Sequence, residues 1–143
     1  MSTEKTVNKP FALSAQSKEN MRGVNPILQV LAERAIGLTE VDFGILENGG
    51  FRTAEQQSDL YFRGASQLDG YSRTSFHQLG NALDLVPYIN KKYTWKDIES
   101  FKKINEAVMK AWTAMDVKGV RLVWGGHWTR FPDYAHYEIK KAK

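Results

Sequence analysis

Three histidines and a handful of carboxylates carry the chemistry open to this chain. His77 stands in SFHQLGNALD, seven positions before Asp84. His136 stands in PDYAHYE, three positions after Asp133 and two before Glu138. An aspartate inside an apolar strand is costly to bury without a partner, and a metal ion would supply one. Gly80 and Ala82 are small enough to leave room beside it. His77, Asp84 and His136 together make the two-histidine, one-carboxylate set of a catalytic zinc site, with a fourth position open to water. Such chemistry needs a second carboxylate, free of the metal, as general base. Asp133 is the candidate. It can approach His136 only if the chain turns at Pro132–Asp133, and the proline favours that turn.

These residues need elements to hold them. In NALDLVPY, period-two alternation puts Ala82, Asp84 and Val86 on one face and Leu83 and Leu85 on the other. Pro87 is expected to stop that strand. In YAHYEI, His136 and Glu138 share a face and Tyr137 takes the other. VRLVW is a further strand, and VDFGILE alternates Val41, Phe43 and Ile45 as another. Asn25 and Pro26 open a helix ending near Gly37. Thr53 and Gln56 form a capping box for a second helix, ending at Gly64. Gln57 lies in that helix and reads as structural. Ile98, Phe101, Ile104, Val108, Trp112 and Met115 mark a long amphipathic helix over 96–115. The Gly- and Ser-rich stretch 64–76 reads as a long loop and a cleft wall. The order α, β, α, β, α, β, β predicts an α+β fold with one small, mainly antiparallel sheet flanked by helices. A chain of 143 residues suits a single domain over 1–143, with a polar lead-in over 1–24 and a basic tail over 140–143.

Composition narrows the function. The chain has no cysteine, which excludes disulfides, thiolate metal sites and cysteine nucleophiles. The net charge of +4 suits an anionic partner, but no helix concentrates enough Lys and Arg for nucleic-acid binding. No window approaches the roughly 18 apolar residues of a membrane span, so stable membrane association is not expected. The first twenty residues lack the apolar core of a signal peptide.

Read as one pattern, S-x-H-x-x-G-x-A-x-D followed by D-x-x-H-[FY]-E resembles the D-Ala-D-Ala metallopeptidase family of the VanX and VanY enzymes. It is more closely similar to the phage endolysins that cleave L-alanyl-D-glutamate bonds. GGFRTAEQQSDLYFRGAS and VRLVWGGHW extend the likeness over residues 25 to 139. The resemblance implies a Hedgehog/D,D-peptidase type of fold, Zn2+ on His77, Asp84 and His136, and Asp133 as base. It implies Arg52 as the residue that binds the scissile carbonyl and its developing oxyanion. Ser75 is expected to contact substrate, with capping of the loop as the alternative. The usual WGGDW reads WGGHW here, so His127 is a departure. It is taken as a substrate contact, with a rival ligand and an exposed substitution as alternatives. The implied function is zinc-dependent hydrolysis of peptidoglycan stem peptides by a monomer, for host lysis. The enzyme would wait in the host cytoplasm until a holin-type lesion releases it to the periplasm and cell wall. A D,D-dipeptidase or carboxypeptidase of the same fold, or a non-catalytic wall-binding module, are the alternatives.

Overall fold

The computed structural model describes residues 10–142. The first nine residues of the expected lead-in, and Lys143 of the expected tail, lie outside the described residues. The fold is α+β, as expected. Its helices are α1 (Ala15–Asn20), α2 (Pro26–Ile36), α3 (Ala54–Phe62) and α4 (Ile98–Met115). Its strands are β1 (Phe43–Gly44), β2 (Ala82–Asp84), β3 (Val86–Ile89), β4 (Lys92–Tyr93), β5 (Val120–Trp124) and β6 (His136–Lys141). Short 3-10 turns occupy Phe76–Leu79 and Gly125–His127. All strand pairs are antiparallel.

The expected caps are in place. Asn25 accepts from the Ile27 amide at 2.9 Å, with Pro26 at the first helical position of α2. Thr53 and Gln56 complete the capping box of α3. In α4, Asp97 accepts from the Ser100 amide. The apolar faces of α2 and α4 meet over the sheet. Leu28, Ala32 and Val108 are fully enclosed there, with Leu31, Ile104 and Ala111 beside them. Burying each such leucine is worth about 1.5–3 kcal/mol. Leu83, Tyr137 and Ile139 face this core from β2 and β6. The residues between them therefore face the other way, and strand alternation alone brings Asp84, His136 and Glu138 to a common side.

Four features depart from the sequence expectation. First, there are two three-stranded sheets, ordered β1-β3-β4 and β2-β6-β5. NALDLVPY does not run as one strand: the Leu85 amide donates to Ala135, and Val86 then crosses to pair with Gly44. Pro87 does not stop the strand but pairs within it, opposite Phe43. Its missing N–H costs no bond to β1, because Tyr88 is the residue that donates to the Asp42 carbonyl. Second, the lead-in is packed. Leu13, Ser17, Met21 and Val24 are buried, and the Ser17 hydroxyl accepts from the Ile45 amide at 3.0 Å. Third, β4 closes a hairpin through Asn90 and Lys91, both with positive φ. Fourth, the tail begins as strand, with Lys140 and Lys141 paired to Arg121 and Val120.

Candidate metal centre and its cleft

The β2–β6 register places Asp84 directly opposite His136 and Ala82 opposite Glu138. The 3-10 turn before β2 brings His77 to the same point. Gly80 ends that turn in the left-handed region at φ 75°, and a side chain there would lie 2.7 Å from the Gly23 carbonyl. Its smallness serves this close approach, not clearance around the metal.

His77 Nε2 and His136 Nδ1 each lie 3.4 Å from Asp84 Oδ1. The three ligand atoms all fall within 4.8 Å of one another, and all three side chains are buried. The remaining ring nitrogens are occupied. His77 Nδ1 donates to the Gly50 carbonyl at 2.9 Å, and His136 Nε2 donates to Glu138 Oε1 at 2.6 Å. A carbonyl and a carboxylate can only accept, so the nitrogens left to face Asp84 are His77 Nε2 and His136 Nδ1. Asp84 Oδ1 is buried and has no hydrogen-bond partner. Three electron-rich atoms thus face one another across a gap. The chemistry of this donor set fits a metal cation.

The electrostatics agree. Burial alone would raise the Asp84 carboxyl, but the two histidines hold it well below the usual carboxylate range. Burial pulls the His136 imidazole down, while the adjoining Asp84 and Glu138 carboxylates outweigh it and push it up to about 9. The pocket therefore calls for positive charge where Asp84 meets the rings. Glu138 is lowered despite burial by His136 and by Lys140, whose Nζ lies 3.4 Å from Oε2.

The other expected residues fall as follows. Asp133 does sit at a turn: its amide donates to Gly125 and its carbonyl accepts from His136. Its side chain is exposed in the open cleft. Partial loss of water there, together with the negative charge of Asp84, raises its carboxyl above the ordinary value. Gly125 makes the turn possible, since a side chain there would lie 2.5 Å from the Asp133 carbonyl. Arg52 is held at all three nitrogens. Nε donates to the Asn48 carbonyl at 2.7 Å, Nη1 to Gln57 Oε1 at 3.0 Å, and Nη2 reaches Asp84 Oδ2 at 3.4 Å. Ser75 lines the cleft, but its hydroxyl proton goes to Gln57 Oε1 at 2.9 Å. His127 is not brought to the cleft. Its exposed ring packs edge-on against Trp124 with centroids 4.9 Å apart.

Sequence reasoning undervalued Gln57. It is fully buried and joins four partners, because its Nε2 also donates to Ser66 Oγ at 2.7 Å and to the Leu68 carbonyl at 2.9 Å. It is the one buried residue of α3. A glutamine spaced one helical turn beyond the cap, on an otherwise polar helix, was the available signal. The Gly-Ser loop does form a cleft wall through Ser66 and Leu68, and Trp95 and Trp128 face it. The cleft encloses about 980 Å³ and contains the metal group.

Comparison with known proteins identifies the family. The chain is 35% identical to the L-alanyl-D-glutamate peptidase of Escherichia phage T5 over 132 residues, covering 92% of this chain and 91% of that protein. Its fold matches the crystal structure of the L-Ala D-Glu endopeptidase ChiX of Serratia marcescens with a TM-score of 0.77, at 28% identity and over 92% of each chain. The profile of the phage L-alanyl-D-glutamate peptidases matches residues 9–143, and the chain belongs to that family.

Proposed function

We propose that this protein is a zinc-dependent endopeptidase that hydrolyses the L-alanyl-D-glutamate bond of peptidoglycan stem peptides. The observation that carries the reading is the convergence of His77 Nε2, Asp84 Oδ1 and His136 Nδ1 beside a second cleft carboxylate, in a chain of this family. Nitrogen and carboxylate ligands of this kind suit zinc. Zinc in this set would supply the Lewis acidity that makes water a competent nucleophile near neutral pH. The chain's own residues do the rest. Asp133, raised above an ordinary carboxylate, takes the proton of the attacking water and returns it to the leaving amine. Arg52 has N–H groups left after its three anchors, and it stabilises the charge that develops on the scissile oxygen. Gln57 fixes its direction. All five side chains come from one chain, which supports action as a monomer. The family's phage origin supports a role in host lysis, with accumulation in the host cytoplasm and release through a holin-type lesion to the wall.

The test combines metal analysis with end-group analysis of purified peptidoglycan. One zinc per chain is expected, together with new L-alanine C-termini and D-glutamate N-termini. Release of free D-alanine would instead mark a D,D-carboxypeptidase. Metal-loaded protein that cleaves nothing would leave the wall-binding alternative.

A further inference from the structure

We propose that Arg130 recognises the free carboxylate that the D-glutamate residue carries beside the scissile bond. This rests on the substrate reading above. Glutamate has two carboxyl groups, and its nitrogen is the one joined to L-alanine. Continuation of the peptide consumes one carboxyl at most. The other remains as an anion on the leaving residue, a few bonds from the reacting carbonyl.

Away from the metal group, the cleft lining offers such an anion few partners. Glu47, Asp84, Asp133 and Glu138 are its acidic members, and its only arginines or lysines among the described residues are Arg52 and Arg130. Arg52 is anchored at Asn48, Gln57 and Asp84. Arg130 is exposed and makes no hydrogen bond or ion pair among the described residues. A guanidinium can meet a carboxylate with two parallel N–H donors, giving geometry as well as charge.

The segment that carries it is shaped for presentation. The amides of Trp128 and Asp133 both donate to the Gly125 carbonyl, at 3.2 and 3.0 Å. The loop is therefore closed at a single atom, with Arg130 between the two tethers and the proposed base at one of them. Phe131 holds a positive φ of 52°, rare for a bulky residue, and Pro132 follows it. This backbone turns Arg130 and Phe131 to the cleft side.

The test uses two synthetic stem peptides that differ only at this group, one with the free carboxylate and one with a carboxamide. Metal-loaded wild type is expected to prefer the carboxylate by about tenfold in kcat/KM, which corresponds to about 1.4 kcal/mol. R130Q is expected to cleave the two peptides with similar kcat/KM, its loss falling mainly on KM. R130K is expected to retain part of the preference. K118Q, a remote surface charge change, is expected to retain all of it. If wild type cleaves both peptides without preference, or R130Q keeps the preference intact, the inference is overturned alone. If wild type cleaves neither, the peptidase reading fails and takes the inference with it.

Discussion

Asp133 and Glu138 are both carboxylates within a few residues of His136, and their surroundings separate their roles. Asp133 opens to the cleft, is raised, and holds no metal-directed hydrogen bond to a ring. Glu138 is buried, lowered, and bonded to His136 Nε2. Asp133→Asn is therefore expected to fold and bind zinc normally while kcat falls by about 10²–10⁴. Full turnover in that variant would remove Asp133 from the mechanism. Glu138→Ala is expected to weaken metal affinity about 10–100-fold, because His136 loses the partner that fixes its tautomer and raises its basicity. Chelator competition measures that change, and saturating zinc should restore much of the activity. At this scale the sequence was informative within each stretch, because strand alternation and the spacing of His77 to Asp84 and of Asp133 to His136 are local properties, while the meeting of the two stretches was suggested by the family pattern. His127 shows the limit. Its place against Trp124 depends on how the 3-10 turn after β5 directs the ring, which no spacing encodes.

Elements decide how firmly those residues are aimed. Gln57 binds α3 to Arg52, to Ser75 before the 3-10 turn, and to the cleft-wall loop at Ser66 and Leu68. Gln57→Ala would leave several buried groups without partners, at a cost of about 2–3 kcal/mol. Thermal denaturation should show that loss. Kinetics should show kcat falling more than KM rises, because Arg52 acts on the developing charge. An unchanged kcat would limit Gln57 to stability alone. A second expectation concerns the edge of β1. Partial burial raises the Asp42 carboxyl against the hydrogen bond it receives from the Phe43 amide, and Oδ1 has no partner. The folded protein then holds this proton more firmly than the unfolded chain does. The resulting stability is present below the ordinary carboxylate value and is lost as pH rises through the raised one. Asp42→Asn is expected to melt higher than wild type at about pH 7, with the gap closing toward about pH 3. Helices α2 and α4 and the capping box of α3 were legible because caps and apolar periodicity are written locally. The crossing of the chain at Leu85 was not, since it depends on Ala135 fifty residues away. The β4 hairpin was missed because Asn90 and Lys91 adopt left-handed backbone without the glycine that usually announces it. Helix α1 was missed because its burial rests on Ser17 meeting Ile45.

The whole molecule is organised around charge that the protein alone does not balance. The cleft lining carries four acids against two arginines, with Lys140 outside it pairing Glu138, and this excess of acid favours a cation. Its ligands come from the 3-10 turn, from β2 and from β6, the central strand of its sheet. One ion would therefore tie the His77–Asp84 stretch to β6 some fifty residues away, and it has little to bind in the unfolded chain, where the two are apart. Folding and metal binding should be linked. With zinc at 100 times its Kd, the folded state gains about 2.7 kcal/mol, a shift in Tm on the order of 10 °C for a domain of this size. Chelation should reverse the shift. Zinc should restore it where magnesium does not, because magnesium favours all-oxygen octahedral sites over two imidazoles. His136→Ala should melt at one temperature with or without zinc, which would assign the effect to this centre. Equal melting of zinc-loaded and chelated wild type would show that no ion binds the folded state in preference to the unfolded chain, and would remove zinc from this centre.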